Sequence, residues 1–385
     1  MRFHVAALPH TVTAKAYSSC AYTQKILNFC KMMHDLGHEV FHYGAEGSEV
    51  VCTEHIQVIS TAEQEHYYGD RTNYTSVAKW DPEIEYWKVT NQRITEEINK
   101  RAQQKDFVCI VGGTCQQPIT KGLRTDLVLV VEPFIGYYGT FANFRVFETY
   151  THQSAVYGTQ SRDPDGKLYD AVIPNYYDLN DFPVNLDLRQ DYLLYIGRLI
   201  QRKGIQIALQ AARAADIKLV MAGQGVVEQN INWIKTEEGM VIPLEAGKVE
   251  YFGQANVEER AALMGNARAV IMPTIFMEPF GGVAVETQLC GTPVISTDYA
   301  SFSETVEHGK TGWRCHTLEQ FVWAIKNIDK LEGGTAYIRE RAATRYSLER
   351  VGKMFDEYFT MLTGLWDEGW PKPNPSRTNL DWLKI

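Results

Sequence analysis

The chain has 385 residues, 45% hydrophobic and 22% charged, with 38 basic against 47 acidic side chains for a net charge of −9. Such values fit a globular protein of two or three domains and exclude collagen-like, disordered and small disulfide-stapled folds. Residues 1–190 hold 17 basic and 23 acidic side chains and the remainder 21 and 24, so neither half is basic and no global field draws the chain to nucleic acid or anionic lipid.

The opening, MRFHVAALPH, is a short apolar run broken by His4 and Pro9 and does not read as a signal peptide. Strands are expected at Phe3–Leu8, Val40–His42, His55–Ile59, Phe107–Val111 and Leu127–Val131. Between the first two, Ala21–Leu36 carries Ile26, Leu27, Cys30, Met33 and Leu36 at helical spacing, with Gly37 as its C-terminal cap. Residues 60–92, polar and aromatic, break the alternation and read as an insertion, either a lid or a long structured loop. A turn-rich stretch from Pro174 to Pro183 follows, and the alternation restarts near Asp191. The second series of strands is Tyr192–Ile196, Lys218–Ala222, Val249–Phe252, Ala269–Met272 and Pro293–Ser296, and 318–363 reads as consecutive helices.

Strand–helix alternation of this kind implies parallel sheets covered by helices, so the expected fold class is α/β with two doubly wound, Rossmann-like domains facing across a cleft. The domains are drawn at 1–186 and 187–363, with an irregular arm at 364–385. Seven cysteines, at 20, 30, 52, 109, 115, 290 and 315, form no CxxC pair and several sit in apolar runs. They read as buried thiols in a reducing compartment. No apolar stretch approaches the roughly 18–20 residues that span a bilayer. The expected location is the cytoplasm, of a host cell if the protein is viral.

Chemistry is sought on loops that follow strands. Glu278-Pro279-Phe280-Gly281-Gly282-Val283-Ala284-Val285-Glu286 follows the strand at 269–272. A helix beginning near Phe280–Gly281 would present bare N–H groups to an anion, and two glycines would allow close approach. Glu278 would stand ahead of that helix, able to accept hydrogen bonds from sugar hydroxyls. Glu286, about two turns in, could grip a vicinal diol. Gly197-Arg198-Leu199-Ile200-Gln201-Arg202-Lys203-Gly204 follows the strand at 192–196 and places two cations, Arg198 and Lys203, where a diphosphate would sit. Taken alone, either pair is an ordinary solvated charge. Ala222-Gly223-Gln224-Gly225 is a third glycine-bearing strand exit.

These motifs resemble the retaining GT-B glycosyltransferases of family four, most strongly over 191–315. There G-R…K-G, A-G-x-G, Y-F-G, E-P-F-G-G…E and G-T-P-V-I occur in the family's order, and Asn175 and Asp178 match its interdomain segment. The resemblance implies a metal-independent enzyme that needs no cofactor and moves a sugar from a nucleotide-diphosphate donor, a UDP-sugar by preference, to an acceptor hydroxyl. Arg198 and Lys203 would neutralise the diphosphate, Glu286 would hold the ribose, and Glu278 with the backbone at Pro279, Phe280, Gly281 and Gly282 would orient the sugar. Gly197 and Gly223 would line the donor site, with Tyr251, Phe252 and Gly253 bordering the base.

The first domain departs from that pattern. The usual Gly-Gly loop is absent, and Glu132 stands where many members have a histidine. Glu132 either contacts sugar or acceptor or caps a turn; His10 and Asn175 are further acceptor-side candidates, and His152 reads as structural. The opening and residues 136–145 look similar to glycosyltransferases of tailed phages and large DNA viruses, which suggests a hydroxymethylated DNA base or a surface glycan as acceptor. Lys79, Lys88, Arg93, Lys100 and Arg101 could line a groove for DNA or form a solvated helix face. Asp163-Pro164-Asp165-Gly166 spells Asp-x-Asp but reads as a turn, and no phosphate loop, metal-ligand spacing or nucleophile elbow occurs. A GT-B sugar-nucleotide epimerase and a non-catalytic nucleotide-sugar-binding relative are the alternatives. Oligomeric state is not fixed by these features.

Overall fold

In a computed structural model of the chain, residues 1–69, 78–159, 165–184 and 190–368 are described. Part of the expected insertion, Asp163 and Pro164 of the expected turn, the expected domain boundary at 186–187 and most of the C-terminal arm lie outside them. The chain divides into two compact units, Met1–Tyr176 together with the helix from Leu348 on, and Tyr177–Ser347.

In the first unit, β1 (Arg2–Ala6), β2 (Glu39–Ala45), β3 (Glu54–Ile59), β4 (Asp106–Ile110), β5 (Val128–Ile135), β6 (Phe144–Phe147) and β7 (Ala171–Val172) form one sheet in the order β3-β2-β1-β4-β5-β6-β7. All its pairings are parallel. Helix α1 (Ala21–Asp35) buries Ile26, Phe29, Cys30 and Met33 on one stripe, and Gly37 turns the chain out of it at φ 82°. The 60–92 segment is not simply loop. It contains α2 (Thr61–Tyr68) and the start of α3 (Glu85–Arg101), and Tyr68, Tyr86 and Trp87 are buried in the unit's core. Two shorter helices follow, α4 (Gln117–Lys121) and α5 (Tyr150–Thr159).

In the second unit, β8 (Tyr192–Ile196), β9 (Lys218–Ala222), β13 (Val249–Gly253), β14 (Ala269–Met272), β15 (Val294–Thr297) and β16 (Gly312–Cys315) form a parallel sheet in the order β13-β9-β8-β14-β15-β16. An antiparallel ribbon, β10 (Val226–Gln229), β11 (Trp233–Thr236) and β12 (Val241–Pro243), is inserted between β9 and β13. Helices α6 (Ile205–Ala215), α7 (Val257–Asn266), α8 (Gly282–Leu289), α9 (Phe302–Thr305), α10 (Leu318–Lys326) and α11 (Gly334–Tyr346) complete it.

The last helix among the described residues, α12 (Leu348–Glu368), corrects the expected grouping. Its apolar stripe of Val351, Phe355, Phe359 and Leu362 belongs to the core of the first unit. Phe359 packs edge-on to Phe3 at 4.7 Å and against Phe107 at 4.9 Å. Aromatic contacts of that depth tie the helix to the first sheet, although the second unit separates them in sequence. All seven cysteines are free thiols, five of them buried. No helix among the described residues is long and apolar enough to cross a membrane.

Candidate functional site

Three neighbouring strands of the second sheet, β8, β9 and β13, end in glycines: Gly197, Gly223 and Gly253. Gly197 donates its N–H to the Ala222 carbonyl (3.0 Å) and Gly223 to the Gly253 carbonyl (2.8 Å), so the strand exits are laced together. A Cβ at Gly223 would stand 2.1 Å from the Gly197 carbonyl oxygen. Only glycine permits that approach, and its φ of 136° is one that L side chains rarely adopt. Tyr251 donates its hydroxyl to the Gly223 carbonyl (2.8 Å), while the ring of Phe252 beside it is 48% exposed.

The charged groups converge on this edge. Lys203 lies on a short 3₁₀ turn after β8, and its Nζ is 2.5 Å from Glu278 Oε2. The same ammonium lies 5.0 Å from the Phe276 ring centroid. Arg198 forks onto Glu237, with Nε 2.7 Å from Oε1 and Nη2 donating to Oε2 at 2.9 Å. Glu238 accepts the Gln201 N–H at 2.6 Å. Glu237 and Glu238 sit at the tip of the β11–β12 ribbon, and motif reading did not single them out. Both expected cations therefore hold carboxylates.

Helix α8 begins at Gly282, as the glycine pair suggests. Gly281 occupies the N-cap at φ 75° with no side-chain cap, so the first N–H groups of the helix lack a capping oxygen. Phe280 is buried edge-on against Tyr346 at 5.7 Å, which fixes Pro279 and Glu278 ahead of the helix. Glu286 is the fifth residue of α8, just over one turn in rather than two. It is buried 3.1 Å from Arg260 Nε, and its Oε2 makes no hydrogen bond. Burial raises its pKa above the ordinary carboxylate value; Arg260 opposes that shift and Asp181 adds to it.

The acceptor-side candidates fare differently. Glu132 is fully buried and accepts from the Tyr137 hydroxyl (2.8 Å), Phe141 N (2.9 Å) and Ala142 N (2.8 Å). These three donors tie Glu132 to the loop after β5. Burial raises its pKa, against those hydrogen bonds and Arg145. His10 is buried edge-on to Trp80 at 5.5 Å, and burial alone lowers its pKa to about 4, so it is neutral at pH 7. His152 is buried, its Nε2 donating to the Tyr137 carbonyl at 3.2 Å. Asn175 donates Nδ2 to Glu148 Oε2 at 3.0 Å, and Glu148 also holds Lys25. Lys25 and Glu148 escaped the motif reading because 123 positions separate them.

Four of the five cations considered for DNA are ion-paired: Lys88 with Glu83 (2.9 Å), Arg93 with Glu63 (2.8 Å), Lys100 with Glu97 (2.5 Å) and Arg101 with Glu54 (2.6 Å). Gly166, at the far end of the expected turn, has φ 64°.

Residues 178–345 match the family model described as glycosyl transferases group 1. An uncharacterized glycosyltransferase of Methanocaldococcus jannaschii is 25% identical over 205 residues, 48% of this chain and 51% of that protein. A D-inositol 3-phosphate glycosyltransferase of Pseudarthrobacter chlorophenolicus is 33% identical over 130 residues, 31% of this chain and 30% of that protein. The matched regions thus span about half or less of the curated relatives. Among solved structures, AviGT4, a glycosyltransferase involved in avilamycin A biosynthesis, has a TM-score of 0.65 at 17% identity, covering 94% of this chain and 98% of that one. Anabaena HepE in complex with UDP-glucose has a TM-score of 0.61 at 12% identity, covering 93% and 98%. These likenesses show the fold, GT-B.

Proposed function

We propose that the protein is a retaining glycosyltransferase that binds a UDP-sugar on its second unit and transfers the sugar to an acceptor hydroxyl without a metal ion. The observation that carries this reading is the Lys203–Glu278 pair set against glycine-ended strands and the uncapped start of α8. A diphosphate replaces the carboxylates on Lys203 and Arg198 and takes N–H groups at Gly281–Gly282. Glu278, released from Lys203, accepts hydrogen bonds from the sugar, and Glu286 accepts from the ribose diol. The UDP-glucose bound to HepE, a fold neighbour, supports this donor class.

In the reaction the bond from the anomeric carbon to the diphosphate oxygen breaks on the face where the acceptor oxygen bonds. The leaving diphosphate takes the acceptor's proton. Charge grows on the diphosphate, so the largest contribution of the chain is the positive field of Lys203, Arg198 and the helix start, with positioning second. That field does the work a divalent cation does elsewhere.

The test is NMR of UDP-sugar turnover with a soluble glycoside as acceptor, with and without EDTA. Retained anomeric configuration and an unchanged rate in EDTA are expected, with loss of transfer in folded Glu278→Gln. Inversion, dependence on added metal, or full activity in Glu278→Gln would each refute the corresponding part. Conversion of the donor with no acceptor would point to an epimerase instead.

A further inference from the structure

We propose that Arg260 is a positioning residue within the second unit: from the neighbouring helix its guanidinium holds the Glu286 carboxylate charged and faces Oε2, leaving Oε1 for a ribose diol. The ribose part rests on the donor reading above, but the hold of Arg260 on Glu286 can be measured without any nucleotide.

Arg260 stands in an unfavourable place. It is the fourth residue of α7, whose start is fixed by a capping box: Glu259 N donates to Asn256 Oδ1 at 2.8 Å and Asn256 N to Glu259 Oε2 at 2.9 Å. The start of a helix is its positive end, where a cation is disfavoured. The side chain is also only 13% exposed, so most of its charge is withdrawn from water. Apolar side chains of the same shape often hold two helices together as well as a buried ion pair does.

The apolar contact between these helices is already supplied. Ala261 and Met264 of α7 share one core with Val285 and Leu289 of α8. Thr292, just beyond α8, donates its hydroxyl to the Met264 carbonyl at 2.8 Å. This packing sets Arg260 Nε 3.1 Å from Glu286 Oε2. Oε2 and the guanidinium Nε and Nη2 are sealed from solvent and make no hydrogen bond. The pair acts through its field.

That field bears on the charge of Glu286. Burial favours the protonated acid, Asp181 on the turn Leu179–Asp181 adds to this, and Arg260 opposes both. The other charged groups around α8 are engaged elsewhere. Arg339 of α11 donates to the carbonyls of Leu289 and Phe182, Arg341 pairs with Glu307 at 3.0 Å, and Glu304 of α9 acts on Tyr346. Strands β14 and β15 carry no charged side chain. Burial pushes the Cys290 thiol up to about 12, so it stays neutral. A carboxylate accepts from both hydroxyls of a diol, whereas the protonated acid has one oxygen turned donor. Arg260 thereby keeps Glu286 fit for a ribose at neutral pH.

The experiment compares the wild type with Arg260→Gln and Arg260→Lys, each also in a Glu286→Gln background. Without nucleotide, urea stability is followed between about pH 5 and 8, and a cooperative transition shows that each variant is folded. In Arg260→Gln the folded chain keeps the Glu286 proton to a higher pH than the unfolded chain does. Its stability should therefore fall below that of the wild type by a gap that widens as pH rises. Arg260→Lys should close the gap, and Glu286→Gln should make it independent of pH. With nucleotide, calorimetry gives the ratio of variant to wild-type Kd, in which titration of the ligand cancels. Arg260→Gln should bind UDP at least about tenfold more weakly at about pH 6.5 and within about threefold at about pH 9, one pKa unit being tenfold in charged fraction. It should bind 2′,3′-dideoxy-UDP, which lacks the diol, within about twofold of the wild type at both. A stability gap that does not change with pH, the same slope in the Glu286→Gln background, or equal weakening of UDP and its dideoxy analogue would overturn the proposal. If the gap widens with pH but the wild type binds UDP no better than the dideoxy analogue, the ribose reading falls and the hold of Arg260 on Glu286 stands.

Discussion

Replacing Lys203 by Met should weaken UDP binding far more than replacing Arg198 by Met. The Lys203 side chain is 27% exposed and its partner Glu278 13%, whereas Arg198 and Glu237 are 42% and 31% exposed. A charge-assisted hydrogen bond at a largely desolvated site is worth about 1.5–3 kcal/mol, or about 10- to 150-fold in Kd at 1.4 kcal/mol per tenfold. An exposed pair is worth no more than about 0.5–1 kcal/mol, about two- to fivefold. The same asymmetry should appear in stability. Lys203→Met leaves Glu278 mostly buried without its cation, at a cost of about 1–3 kcal/mol, while Arg198→Met leaves Glu237 in water at almost none. Calorimetry with UDP at 0.15 M salt and urea denaturation of both variants measure the two effects. Lys203→Met binding UDP within twofold of the wild type, or Arg198→Met proving the weaker binder, would refute the reasoning.

Gly223→Ala should cost at least about 3 kcal/mol and abolish UDP binding, since a side chain at that φ alone costs on the order of 1–3 kcal/mol before the clash with the Gly197 carbonyl; a stable, UDP-binding variant by denaturation and calorimetry would count against the site. Glu132→Gln should lower stability by about 1–3 kcal/mol, because one amide oxygen cannot serve three donors, yet leave UDP affinity unchanged; a large loss of UDP affinity would mean that Glu132 has a direct role. Burial lowers the pKa of His10 and His152 to about 4 and of His42 to about 3. Folded values below the unfolded 6.5 mean that each contribution is present above pH 6.5 and is lost as pH falls toward 4 or 3, at up to about 1.4 kcal/mol per pH unit. Urea midpoints between pH 7 and 4.5 should fall accordingly, and His10→Leu should flatten the slope; an unchanged slope would remove His10 from the account.

All ten strands expected from apolar runs are present, because a strand buried on both faces must be continuously apolar, as Phe107–Ile110 is. The ribbon β10–β12 escaped for the opposite reason: Val226–Gln229 is mostly exposed and shows no alternation to read. The stripe of α12 was legible as a helix, but a stripe does not say which sheet it covers. At the site, glycine-bearing strand exits were legible because backbone geometry restricts the residue type. The partners of Arg198 and Lys25, supplied by Glu237 and Glu148, were not, since long-range pairs leave no spacing signal. Glu132 was ambiguous in sequence because its partners are two backbone N–H groups and a tyrosine hydroxyl, none of which a motif records.

The placement of α12 has a consequence for synthesis on the ribosome. The second unit is threaded into the first as an insert whose two ends meet, Tyr177 donating its N–H to the Tyr346 carbonyl at 2.8 Å. At about 5–20 residues per second, the roughly 250 residues between Phe107 and Phe359 take on the order of 10–50 s to be made. For that interval Phe3, Phe29 and Phe107 have emerged but lack the helix that covers them. The insert can complete itself during the wait, while the earlier-made half keeps part of its apolar core uncovered until α12 is made.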